Sequence, residues 1–145
     1  MSRRPPYLPA DLPAPTLDPL GRGFWDACRA RRLCFQRCAA CGTFQHPWTP
    51  VCFACRARDW RWEEVPGTGT VFSFTWAHHA ATPLLAPYVP YNVSVVEIDG
   101  APGVRLVSNV IDVAEGELAI GLGVRVVFEP VGDLVYPRFR RREAV

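Results

Sequence analysis

Six cysteines are the residues of this chain best equipped for chemistry, and four of them fall into a pattern. Cys38-Ala39-Ala40-Cys41 is followed, after ten intervening residues, by Cys52-Phe53-Ala54-Cys55. Each C-x-x-C turn can aim two thiolates at one point, and the short loop between the turns brings the pairs face to face. Four thiolates in that arrangement suit a closed tetrahedral zinc site, structural rather than catalytic. Iron on the same ligands and a pair of disulfides are the alternatives. Gly42, directly after the first turn, can take the positive φ that such turns favour. Arg56 stands at the matching place after the second, so the two halves differ in sequence. His46 could offer a nitrogen donor, but four sulfurs fill a tetrahedron; it reads as a surface or loop residue.

The remaining reactive residues give weaker signals. Cys28 and Cys34 fall on a helix and at its exit, where buried free thiols are expected. His78 and His79 have no serine or cysteine nucleophile nearby and no carboxylate at a fixed spacing, so they read as loop or strand-end residues. There is no Gly-rich phosphate loop, no G-x-S-x-G and no H-E-x-x-H. These absences favour a binding or accessory module over a self-sufficient enzyme.

The elements that must hold the cysteines can be read in order. Six prolines among residues 1–20 make an extended arm, either disordered or laid along a surface. Gly21-Arg22-Gly23 breaks it from a short helix over residues 24–33, with Phe24, Trp25 and Cys28 towards one face. Strands over residues 33–36, 43–46 and 60–63 frame the two turns, and Trp60 and Trp62 share a face. Beyond Pro66-Gly67-Thr68-Gly69 come runs of strand character at residues 71–76, 91–98, 104–110, 124–128 and 134–139. Asp99-Gly100 is a hairpin signal. Phe72, Phe74 and Trp76, at period two, are expected in the core of the second unit. About five short strands without a long helix suggest a small barrel of the OB type. The expected class is thus mainly β: a short N-terminal helix, a rubredoxin-like zinc ribbon and a C-terminal five-stranded OB barrel. Its parts are an arm at 1–21, helix plus ribbon at 22–64, and barrel with basic tail at 65–145. The long apolar loop between the first two barrel strands, with Leu84, Leu85 and Tyr88, has the character of a binding loop.

At 145 residues, 49% hydrophobic, the chain is one domain or two small ones sharing a core. No apolar run reaches the ~18 residues of a membrane span, and the N-terminus lacks a secretory h-region. A cytoplasmic protein is expected, without membrane attachment. All sixteen basic residues are arginine. Residues 22–61 carry eight arginines against two acids, whereas residues 62–137 carry two against nine. A barrel tracking a nucleic-acid backbone needs a basic groove, so the acidic body weighs against nucleic acid. The basic helix and ribbon could instead meet phosphates or an acidic partner.

Taken together, Phe24-Trp25-Asp26, the two cysteine turns, Gly69-Thr70-Val71-Phe72-Ser73-Phe74-Thr75, Pro87-Tyr88-Val89, residues 121–128 and Pro137-Arg138-Phe139 form one pattern. It resembles the zinc-ribbon/OB-fold family of acyl-CoA-associated proteins, long catalogued as a domain of unknown function, over residues 22–140. The resemblance implies a non-catalytic subunit that docks on a thiolase-fold enzyme and helps to shape its acyl-CoA site. Catalytic cysteine and histidine would then belong to the large partner. It implies zinc on Cys38, Cys41, Cys52 and Cys55. It also directs attention to Phe24, Trp25, Arg29, Arg32, Arg37, Leu84, Leu85, Tyr88, Arg138, Phe139 and Arg140 as contacts for acyl-CoA or the partner. A stand-alone acyl-CoA or lipid carrier and a single-stranded nucleic-acid module are the competing readings.

Overall fold

Proline spacing keeps the arm out of any sheet, yet the arm lies against the body of its own chain. The computed structural model describes residues 5–143; the first four residues of the arm and the last two of the basic tail lie outside them. Tyr7 anchors the arm to the barrel, and Pro9 is buried beneath it. The arm ends in a 3-10 turn, Pro19–Gly21, where Asp18 Oδ1 accepts from the Leu20 amide at 2.9 Å.

Helix α1 (Arg22–Arg29) follows directly, so Gly21 and Gly23 do not separate arm from helix; they serve close packing. A Cβ on Gly21 would lie 2.1 Å from the Trp48 ring, and one on Gly23 would lie 2.2 Å from Trp62 Nε1. Glycine here lets two indoles rest against the helix backbone. The helix ends four residues earlier than its sequence pattern suggests. Arg31 takes a left-handed φ of 63°, its amide donates to Cys28 O (3.0 Å), and the Arg32 amide reaches Ala27 O (2.8 Å). That pair of bonds is a Schellman closure, built on an arginine where glycine is usual.

Strands β1 (Cys34–Cys38), β2 (Phe44–Gln45) and β3 (Trp60–Glu64) form an antiparallel sheet in the order β2-β1-β3. The second sheet holds β4 (Thr68–Ala77), β5 (Tyr91–Ile98), β6 (Arg105–Ser108), β7 (Val110–Ile111), β8 (Gly123–Val131) and β9 (Leu134–Arg141), in the order β6-β5-β4-β8-β9-β7. The run expected at residues 104–110 is broken at Asn109 into β6 and β7. These two consecutive strands occupy opposite ends of the sheet order, and β7 pairs with β9 in parallel. One stretch of chain thus supplies both edges and closes the barrel, which removes long exposed ladders.

The core is continuous across both sheets. Phe24, Cys28, Leu33, Phe35 and Phe44 from the helix and ribbon join Val71, Val96, Val110, Val124 and Phe139 of the barrel in one cluster, with Val65 also buried in it. The aromatic triplet of β4 is split by a bulge between Val71 and Ser73. Phe74 and Trp76 pack on the core as expected. Phe72, at the bulge, is 43% exposed, and Arg105 lies 3.7 Å from its ring centre. A bulge re-aims one side chain, and here it moves Phe72 to the outer surface.

Candidate metal centre and surrounding surfaces

The ribbon places its four cysteines by backbone turns. Gly42 N donates to Cys38 O (3.0 Å) and Arg56 N donates to Cys52 O (2.9 Å). Gly42 has φ 79° and Arg56 φ 65°, so the second knuckle adopts the conformation of the first despite its side chain. The Sγ atoms all lie within 4.8 Å of one another, with Cys38–Cys55 and Cys41–Cys52 both at 3.6 Å. Zinc bonds of about 2.3 Å in a tetrahedron put sulfurs about 3.8 Å apart, whereas a disulfide needs about 2.05 Å. The sulfur set therefore fits a tetrahedral ion, and zinc is the ion that four thiolates favour.

Neighbouring groups tune and brace this site. Thr43 Oγ1 lies 3.1 Å from Cys41 Sγ, and this hydrogen bond is the main cause that lowers the Cys41 thiol to about 6. A thiol so poised is ready to lose its proton to a metal near neutral pH. Behind the second knuckle lies a buried amide network. Gln45 Nε2 donates to Gln36 Oε1 (2.9 Å) and to Thr49 Oγ1 (2.7 Å), while Gln45 Oε1 accepts from the Phe53 amide (3.2 Å). Gln36 Oε1 also accepts from the Thr49 amide at 2.9 Å. Arg37 donates to Gly42 O (3.0 Å) and pairs with Glu63 at 2.5 Å, which ties the first knuckle to β3.

Residues 25–61 match the family model described as the ChsH2 rubredoxin-like zinc ribbon domain, and residues 62–129 match that of the ChsH2 C-terminal OB-fold domain. The solved structure titled "Ltp2-ChsH2(DUF35) aldolase" contains a chain 36% identical to this one, with a TM-score of 0.80. The match covers 88% of this chain and 98% of that one. The chain belongs to the ChsH2 (DUF35) family. A longer relative from Thermomonospora curvata, "Probable enoyl-CoA hydratase alpha subunit", is 41% identical over 119 residues, 81% of this chain. The chain spans only 36% of that relative's length. A "DUF35 domain-containing scaffold protein" of Methanocaldococcus jannaschii is 29% identical over 99 residues, 67% of each chain. A DUF35 protein of unknown function from Sulfolobus solfataricus shares the fold at a TM-score of 0.59 and 16% identity, over 86% of each chain.

Within this ChsH2-family chain, several residues suggested as contacts are absorbed by the interior. Phe24 (3% exposed), Leu85 (7%) and Phe139 (0%) are core residues, because each stands on the inner side of its element. Arg138 is nearly buried; it donates to Asn109 Oδ1 (2.5 Å) and pairs with Glu129 (3.4 Å). Arg37 is the knuckle brace, and Arg140 pairs with Asp112 at 3.1 Å. Left at the surface are Arg29, which donates to Asp133 O, Arg32 beside Glu64, and Leu84; Trp25 and Tyr88 are half-buried. Arg29 is the last residue of α1 and Arg32 lies just beyond it, whereas Leu84 and Tyr88 lie on a 3-10 turn, Pro83–Tyr88, between β4 and β5. Cys28 and Cys34 are buried, and burial pushes the Cys28 thiol up to about 12, an inert value.

His46 lies in the loop after β2, in keeping with its reading as a loop residue, and is half-buried. Its ring sits 5.3 Å from Phe35, 5.8 Å from Phe24 and 6.0 Å from Trp48, and burial holds its pKa down at about 4. An unfolded histidine takes a proton near the usual ~6.5. The unfolded state therefore binds the proton first, and stability falls as pH drops from 6.5 towards 4. Denaturant unfolding with zinc in excess should show a loss of about 2 kcal/mol between pH 7.5 and 5 from this group. The substitution His46→Phe should remove that part of the slope; an unchanged slope would rule out the assignment.

One polar centre gave no motif. Asn92 is fully buried and binds both ends of its surroundings: Nδ2 donates to Val110 O (2.7 Å), and Oδ1 accepts from Val110 N (2.9 Å) and Ser94 Oγ (2.8 Å). Its carbonyl accepts from Asn109 Nδ2. The Asn92 amide and Nδ2 both donate to Tyr7 Oη at 2.9 Å. This cluster joins β5, the β6–β7 break and the arm.

Proposed function

We propose that this chain is the non-catalytic accessory subunit of a thiolase-fold acyl-CoA enzyme, and that it completes the partner's acyl-CoA site. The observation that carries the reading is the likeness to a chain of the Ltp2-ChsH2 aldolase, which extends over 98% of that chain. The scaffold name of the Methanocaldococcus relative is in keeping with it. Among thiolysis, condensation and retro-aldol cleavage, the aldolase name of that solved complex favours the last.

The chemistry of the described residues is in keeping with a supporting role. The Cys28 thiol is buried and held protonated, the ribbon sulfurs are a metal set, and the half-buried His46 packs against aromatic rings. His78 lies 3.5 Å from Glu115 on the surface. The reacting cysteine and histidine are then the partner's. Arg29 and Arg32 offer exposed forked donors suited to the phosphates of CoA. The Pro83–Tyr88 turn, with Leu84 outward, suits an acyl or pantetheine path. Helix plus ribbon (22–64) and barrel (65–145) act here as the two parts of one docking unit. Among the described residues no helix is long and apolar enough to cross a membrane, and the reading places the complex in the cytoplasm.

The test is affinity capture of the tagged chain from its native lysate, followed by mass spectrometry and native mass measurement. A thiolase-fold protein in fixed stoichiometry is the expected result. A chain that leaves the column alone with tightly held acyl-CoA would replace this reading by the carrier one. Salt-sensitive retention of single-stranded nucleic acid would replace it by the ribbon–barrel binder. The hydratase name of the longer Thermomonospora relative supports a second reading, in which the partnered reaction is hydration.

A further inference from the structure

The arm is held as a ligand is held. Tyr7 supplies one hydroxyl to two donors of the buried Asn92, and its own amide donates to Glu129 Oε2 at 3.1 Å. Two residues on, Pro9 is buried, and Leu12 is half-buried. The surface beneath is aromatic and cationic: Trp25 meets Tyr136 edge-on at 5.7 Å, and Arg138 lies 5.0 Å from the Tyr136 ring centre. A tyrosine anchor, proline spacing and an aromatic-lined groove are the parts of extended-peptide recognition.

The fit is incomplete, which distinguishes a ligand from a built-in strand. Among the described residues the arm pairs with no strand of the barrel, and the Leu12 amide bonds to Pro9 O within the arm itself. Cavities of about 330 and 400 Å³ lie between arm and body. The first is lined by Pro5, Pro6, Phe128 and Arg140, and Arg140 Nε is buried there without an acceptor among the described residues. The second lies between Leu8, Leu12 and Pro13 of the arm and Trp25 and Tyr136 of the body.

We propose that the groove formed by Asn92, Trp25, Tyr136 and Arg138 is a binding site for a tyrosine-anchored, proline-rich peptide, filled by this chain's own arm. The arm is thus an exchangeable occupant that shields the Trp25–Tyr136 surface. The inference stands apart from the thiolase-partner reading, because it concerns contacts within the one chain. An arm tethered beside its site acts at an effective concentration in the mM range, so the intact chain should exclude a second copy of the same peptide.

The test uses full-length protein and a synthetic peptide of residues 5–18. In the variant Tyr7→Ala the arm loses its anchor, and the peptide should bind saturably at 1:1, with amide shifts at Asn92 and Tyr136 in NMR spectra. The unaltered chain should bind it at least tenfold more weakly, and a peptide carrying Tyr7→Phe should lose at least tenfold against the variant. If Tyr7→Ala does not fold, Tyr7→Phe in the chain removes only the acceptor oxygen and serves in its place. Equal binding by variant and unaltered chain would overturn the proposal. So would absence of binding at mM peptide by a variant that keeps its zinc and its fold.

Discussion

Replacing Cys52 by serine is expected to strip the chain of its zinc and unfold the ribbon. Cys52 is buried at 2% exposure, and its sulfur lies 3.6 Å from that of Cys41. The ribbon sheet has only β1, β2 and β3, one of them two residues long, too little apolar surface to stand by itself. Structural zinc contributes about 10 kcal/mol or more in small ribbons and fingers. The unaltered chain should hold one zinc per molecule by elemental analysis, and Cys52→Ser should hold almost none. Loss of order should spread into Phe24, Phe35 and Phe44, which share the common core. Thr43→Ala is the milder companion. It keeps all four sulfurs but removes the group that lowers the Cys41 thiol, and should weaken zinc binding about 10- to 100-fold. A Cys52→Ser variant that melts like the unaltered chain would mean that the ribbon does not depend on its metal.

The second large effect is expected at Phe139. Its sequence neighbourhood, Pro137-Arg138-Phe139, suggests a contact for a ligand or partner, but the side chain has no exposed surface. It stands where three strands meet: Phe139 is level with Val126 of β8 and Val110 of β7, and its amide donates to Asn109 O at 3.0 Å. Phe139→Ala should therefore cost about 3–5 kcal/mol, the range for an aromatic removed from a packed core. Urea unfolding measures this directly. A variant of normal stability with impaired assembly would instead place Phe139 at an interface.

The residues that were legible in the sequence are those whose function fixes their spacing. A tetrahedral site needs its cysteines in paired turns, so Cys38, Cys41, Cys52 and Cys55 declare themselves. Strands β4 and β5 were legible from alternation and from the Asp99-Gly100 turn. The helix end was not, because Arg31 does the work of a glycine and carries no local signal. Nor was the break at Asn109, because Val104 to Val110 reads as one continuous strand. A signal did exist for the Asn92 cluster: Asn92, Ser94, Val96 and Ile98 share the inner face of β5, and two polar residues there imply a buried network. Tyr7 was hidden by composition, since proline-rich arms are alike in sequence whether bound or free. His46 was legible as a loop residue, but nothing in its neighbours foretells the packing of its ring against Phe24 and Phe35.

The most direct measurement of the central claim is acyl-CoA turnover by the captured thiolase-fold subunit, assayed with and without this chain at equal concentration. The accessory reading predicts that turnover by the large subunit depends on the added chain, and that the chain alone gives none. Turnover of acyl-CoA by this chain alone, or equal turnover by the large subunit without it, would contradict the account.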